Sequence, residues 1–126
     1  MLKIINNKIY VVRGDDEAID LAVCYSDEAA TPYGMEAGDV LTLTVRALPR
    51  QDSPVLLQVS GEPGSTRIEL RHEDTAGMDC GAYSADVQLV HADGRRATVW
   101  PADMGSGRIK GRNLKNFNVA AEVTME

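Results

Sequence analysis

Apolar and polar residues alternate along most of this chain, which is the mark of strands with one wet face. The clearest run is Tyr83–Leu89, where Tyr83, Ala85, Val87 and Leu89 share one side and Ser84, Asp86 and Gln88 the other. Val40–Ala47 repeats it, with Leu41, Leu43 and Val45 inward and Thr42, Thr44 and Arg46 outward. Glu17–Tyr25 sets Ile19, Leu21 and Val23 against Ala18, Asp20, Ala22 and Cys24. Val55–Ser60 aligns Val55, Leu57 and Val59, and Thr66–Arg71 turns Ile68 and Leu70 inward. Phe117–Thr124 alternates Phe117, Val119, Ala121 and Val123 with Asn118, Ala120, Glu122 and Thr124. Lys3–Val12 is rich in Ile and Val and divides into two short strands at Asn6-Asn7.

Turn chemistry separates these runs. Arg13-Gly14-Asp15-Asp16 and Thr31-Pro32-Tyr33-Gly34 predict turns, and Pro49–Pro54 a connector. Glu62-Pro63-Gly64-Ser65 suits a type II turn, with Pro presetting the first central residue and Gly supplying positive φ at the second. Asp93-Gly94 is the strongest hairpin signal and leads into a strand over Arg95–Trp100. Glu73–Met78 predicts one helical turn. Ala102–Arg112 holds Gly105, Gly107 and Gly111 without periodicity and reads as a mobile loop. Tyr83 stands behind a turn containing Asp79 and Gly81, the pattern of the tyrosine corner of immunoglobulin-like sandwiches. Residues 1–126 therefore predict a single all-β domain, an immunoglobulin-like antiparallel β-sandwich of about eight strands.

Charge narrows the partners. The net charge of −6 disfavours nucleic acid and anionic membranes. It is unevenly spread: residues 1–39 carry eight acidic and three basic side chains, and Arg108, Lys110, Arg112 and Lys115 fall in a stretch without acid. No apolar run reaches membrane-spanning length, and the first residues lack the apolar stretch of a signal peptide. The expectation is synthesis in the cytosol, where Cys24 and Cys80 remain thiols.

The candidate chemistry is thin. Arg13-Gly14-Asp15 spells an integrin-binding tripeptide, but a turn between strands accounts for the same residues. Asp15, Asp16, Glu17 and Asp20 match no calcium-loop spacing and read as a solvated acidic turn. Cys24, on the outward side of its strand, and Cys80, in the turn before Tyr83, are poorly disposed for a bridge. His72, closing a strand, and His91, before the hairpin, read as surface residues rather than members of a triad. Trp100 reads as a cover over the edge of the core, and one Trp and one Phe are too few for a sugar-stacking face. No enzyme, cofactor or metal is expected.

The order of the pieces adds a resemblance. Val12-Arg13-Gly14-Asp15 is followed by Ala18–Val23, Gly38–Val45, Pro54–Leu57, the His72–Thr75 turn, Gly81–Leu89, Asp93-Gly94, Thr98–Pro101 and a terminal Phe117–Thr124 strand. This succession resembles the N-terminal immunoglobulin-like domain of baseplate upper proteins in phage and prophage tails. The resemblance implies a non-enzymatic virion or tail module, structural or adaptor, that works by docking to other tail proteins or to itself as a homo-oligomer. It implies a place in the bacterial cytoplasm at synthesis and in the virion once assembled. It carries no catalytic residue. The receptor-facing portions of larger relatives have no counterpart in these residues. Arg108, Lys110, Arg112 and Lys115 are the candidate interface. A β-sandwich that binds carbohydrate or another small ligand is the alternative.

Overall fold

The computed structural model describes residues 2–4, 9–25, 29, 31–47, 52–100 and 115–120. Within them lie β1 (Leu2–Ile4), β2 (Ile9–Val12), β3 (Glu17–Asp20), β4 (Val23–Tyr25), β5 (Val40–Arg46), β6 (Val55–Ser60) and β7 (Arg67–Leu70). A short α1 (His72–Ala76) precedes β8 (Gly81–Val90), β9 (Arg96–Trp100) and β10 (Lys115–Ala120). The fold is all-β, as the alternation predicts. Ten strands are described where about eight were expected. The Glu17–Tyr25 run contributes two of them, because its ladder changes partner at Leu21-Ala22, from β7 to β1.

β8 organises the larger sheet, whose order is β2-β10-β8-β5-β6 with β9 also on β8. One flank of β8 is covered by β5 from Ser84 to Val90. The other is shared: β10 pairs with Gly81–Ser84 and β9 with Val87–Val90. Two smaller sheets join β1 to β4 and β3 to β7, both antiparallel. β1 lies against β9, and β7 against β6. The expectation of a wholly antiparallel arrangement is corrected at one place. β2 runs parallel to β10, with Ile9 beside Phe117 and Val12 beside Ala120. Alternation fixes which side chains share a face but carries no strand direction.

The inward faces meet in one cluster. Leu41, Leu43 and Val45 of β5, Val87 and Leu89 of β8, and Ile68 and Leu70 of β7 are all essentially solvent-free. Each such side chain contributes roughly 1.5–3 kcal/mol by leaving water. Trp100 and Phe117 are fully buried in the same cluster. This corrects the reading of Trp100 as an edge cover: it closes β9 opposite Val87, on the core side of the sheet. Cys24 is also buried, against its expected outward placement. Val23 beside it is buried too, so both faces of β4 are covered at this point. Both cysteines are free thiols, and Cys80 is exposed.

The turns follow their chemistry, with one exception. Gly64 has φ 80°, and the Ser65 N–H donates to the Glu62 carbonyl at 3.0 Å. Gly94 has φ 91°, and the His91 N–H donates to the Arg95 carbonyl at 2.8 Å, closing the β8–β9 hairpin. The exception is Thr31–Gly34. Instead of turning, this stretch runs alongside β4: the Tyr25 N–H donates to Thr31 at 2.8 Å and the Tyr33 N–H to Val23 at 2.9 Å. A turn falls a few residues later, where the Asp39 N–H donates to the Glu36 carbonyl at 3.0 Å.

Tyr83 forms the expected corner: its hydroxyl donates to the backbone carbonyl of Asp79. Tyr83→Phe keeps the ring and removes that bond, and is expected to cost about 1 kcal/mol in a urea melt. Behind it, the Ser84 hydroxyl is buried on the opposite face without a hydrogen-bond partner among the described residues, as is the Asn118 amide nitrogen on neighbouring β10. A desolvated hydroxyl with no partner is a net cost. Ser84→Ala should therefore be neutral or raise the unfolding midpoint, by up to about 1 kcal/mol. A loss of stability on the same melt would show that the hydroxyl is used.

Candidate interaction surface

Of the basic residues singled out as an interface, Arg108, Lys110 and Arg112 lie outside the described residues. Lys115 opens β10, with its backbone opposite Ser84. The structure instead draws together two groups of side chains that the sequence pattern leaves scattered.

The first is centred on Asp39, at the entry to β5 and only 1% exposed. Its Oδ2 accepts from the Tyr33 hydroxyl at 2.7 Å and from the Glu36 N–H at 3.0 Å. Its Oδ1 lies 2.9 Å from His91 Nδ1. Its backbone carbonyl accepts from the Gly64 N–H at 2.7 Å. One residue thus ties the segment before β5 to the β6–β7 turn and to the β8–β9 hairpin. Burial pushes the carboxyl up, but the Tyr33, Glu36 and His91 contacts outweigh it and hold it below its ordinary value. The same bond to Asp39, with burial second, pushes the Tyr33 phenol up to about 12. His91, expected on the surface, is mostly covered as a result, with its side chain 19% exposed.

The second group clasps α1 to the turn after β2. Asp16 Oδ1 accepts from the His72 backbone N–H at 2.6 Å and lies 3.1 Å from His72 Nδ1. His72 Nε2 is 3.2 Å from Glu73. The buried Thr75 offers its hydroxyl oxygen to the Gly14 N–H at 2.9 Å. Hydrogen bonds from His72 hold the Asp16 carboxyl below its ordinary value. The Arg13-Gly14-Asp15 stretch is a turn, with the Asp15 N–H donating to Val12 at 3.2 Å. Asp20 accepts from the Thr66 hydroxyl at 2.8 Å, so Asp16 and Asp20 serve different partners. Among the described residues no cluster of His, Cys, Asp or Glu is placed to hold a metal. No helix there is long and apolar enough to cross a membrane.

The surface between these groups is open and polar. A groove of about 520 Å³ lies over Ala18, with Asp16, Glu17, Glu69, Arg71 and His72 among its walls. A second, about 470 Å³, runs between the edges of β6 and β7, from Gln58–Gly61 across to Arg67 and Arg71. The outward side chains of β7 alternate in charge, and Arg67 pairs with Glu69 at 3.7 Å. β6 differs. It is the last strand of its sheet, yet Val55 is 47% and Leu56 45% exposed. At the other end of the same sheet, Tyr10 of β2 is 69% exposed.

The Asp39 group leaves no local signal, since its members are six and 52 residues apart. The only hints were an acid at the first step of a strand and a His directly before a hairpin. The edge character of β6 was written more plainly, in a strand without a single charge. No protein-family profile matches the chain, and no curated protein matches it.

Proposed function

We propose that this chain is a non-enzymatic structural or adaptor module of a phage or prophage tail, baseplate-like, and that it works through protein–protein assembly. The observation that carries the proposal is the larger sheet itself, which ends in two strands with exposed apolar side chains, Tyr10 on β2 and Val55 and Leu56 on β6. Open sheet edges are natural sites for pairing with another chain. The immunoglobulin-like part of the reading is supported by the Tyr83–Asp79 corner and by the splitting of the strands into β2-β10-β8-β5-β6 on one side and β1-β4 with β3-β7 on the other. In this reading Asp39 and the α1 clasp set the loops rigidly, and the contacts are made by strand edges and by the basic stretch ending at Lys115.

The test is to induce a host carrying this gene, purify tail particles and look for the chain by mass spectrometry and by immunogold labelling. Its presence at the tail tip supports the proposal. Particles that form without it overturn the proposal. A second reading, binding of a carbohydrate or other small ligand, is favoured by the groove over Ala18, which offers both carboxylates and Arg71 to hydroxyl groups. Specific binding on a glycan array that is lost in Arg71→Ala would support it; an array without signal would remove it.

A further inference from the structure

We infer that Asp93-Gly94 is this chain's intrinsic site of isoaspartate formation, and that the folded hairpin, through Arg95, restrains the reaction. The inference is independent of the assembly reading. Asp93-Gly94 is the only place in the sequence where Asp or Asn precedes Gly. Glycine has no side chain to shield its backbone nitrogen from the carboxyl before it. Around Gly94 the space is open, with nothing beyond its chain neighbours within 4 Å of where a Cβ would stand. Ala92 through Arg96 are all exposed, so water reaches the turn.

The reaction balances with solvent water alone. The Gly94 nitrogen attacks Asp93 Cγ and forms a C–N bond. A carboxyl C–O bond breaks, and the hydroxyl leaves with the Gly94 amide proton as water. The five-membered succinimide then takes water back. Addition at Cγ restores aspartate. Addition at the main-chain carbonyl of Asp93 frees the α-carboxylate and leaves the chain running through Cβ and Cγ, one methylene longer.

Three contacts hold the folded turn short of ring closure. The Gly94 N–H donates to the His91 carbonyl at 2.9 Å, so the attacking nitrogen is already engaged. The Arg95 backbone N–H donates to Asp93 Oδ1 at 3.0 Å, an aspartate bonding to the backbone two residues on. Arg95 Nε donates to Oδ2 at 2.8 Å. Both carboxyl oxygens are thus bound to the residue beyond Gly94, and ring closure has to break those bonds. The leaving hydroxyl belongs to a neutral carboxyl. The bonds from the Arg95 backbone and guanidinium hold the Asp93 carboxyl below its ordinary value, which keeps it ionised.

The damage reaches inward through His91. Its N–H donates to the Arg95 carbonyl at 2.8 Å, and its Nδ1 lies 2.9 Å from Oδ1 of the buried Asp39. A turn one methylene longer loosens the residue that anchors Asp39.

The test is an ageing experiment at neutral pH. Peptide mapping separates the isoaspartyl peptide from the aspartyl peptide of equal mass. In the chain unfolded by urea, isoaspartate should appear first at position 93. The folded protein should form it there roughly tenfold or more slowly. Arg95→Ala keeps the backbone N–H and removes the guanidinium, and should speed the folded reaction roughly two- to fivefold, the worth of an exposed pair. The isomerised fraction should unfold at a lower urea concentration than the unmodified protein, and an equal midpoint overturns the link to Asp39. Isoaspartate that appears first elsewhere in the unfolded chain overturns the site. A folded protein that reacts as fast as the unfolded chain overturns the restraint. So does an unchanged rate in Arg95→Ala with a native far-ultraviolet dichroism spectrum.

Discussion

Asp39→Ala is expected to lower the folding free energy by about 3–5 kcal/mol. Three donors converge on that buried carboxylate: the Tyr33 hydroxyl, the Glu36 N–H and His91. Truncation leaves all three without their charged acceptor, and each hydrogen bond to a charged group contributes about 1.5–3 kcal/mol. Against a whole-domain stability of about 5–15 kcal/mol this is a large fraction. Urea unfolding followed by circular dichroism would measure it. Asp39→Asn keeps one acceptor oxygen of the same shape and should cost clearly less. A loss below about 1 kcal/mol for Asp39→Ala would mean that the donors find water instead.

The same cluster sets a pH dependence at both ends of the scale. The Asp39 carboxyl is held below its ordinary value in the folded protein. Its contribution is therefore present above the ordinary carboxylate range and is lost as the pH falls through the lower, native value. Tyr33 behaves in the opposite sense. Its phenol is raised from 10.0 to about 12, so that contribution is complete below pH 10.0 and is lost as the pH rises toward 12. Stability of the unmodified protein should thus decline on the alkaline side across that interval. Tyr33→Phe should flatten the decline, and an unchanged slope would remove Tyr33 as its source.

Trp100→Ala is the second large effect, about 3–5 kcal/mol. Trp100 is the only tryptophan and has no solvent exposure. It sits opposite Val87, where β9 ends against β8, and Phe117 of β10 stands opposite Tyr83 on the same flank. Removing the indole opens a void that the paired strands on either side cannot close, and the cost of a void grows with the volume left unfilled. The substitution also removes the native fluorescence signal, so the melt is read by dichroism. A cost under about 1 kcal/mol would show that the site collapses around the smaller side chain.

What the sequence revealed, and what it hid, divides by range. The inward faces of β5 and β8 were legible because Leu41, Leu43 and Val45 and then Ala85, Val87 and Leu89 alternate into the core, although Thr44 and Ser84 on the other side are buried as well. The Glu62–Ser65 and Asp93-Gly94 turns were legible because positive φ demands particular residues. Cys24 was misplaced because β4 is buried on both faces, at Val23 as well as Cys24, so alternation marks no outward side there. The parallel union of β2 with β10 was hidden because it is long-range: it joins stretches near the two ends of the sequence. Asp39 was the hardest to see. In isolation it resembles any acid beside a glycine, and only the fold brings Tyr33 and His91 to it.

The shared flank of β8 has a practical consequence. Trp100 and Lys115 are registered to Val87 and Ser84, three residues apart on one strand. At roughly 3.3 Å per residue, the two anchor points are only about 10 Å from each other. Whatever length of polypeptide departs at one must return almost to where it left, and the entropy of closing such a span grows only logarithmically with its length. Trp100 and Lys115 are thus held in place by β8 itself, independently of the chain that joins them.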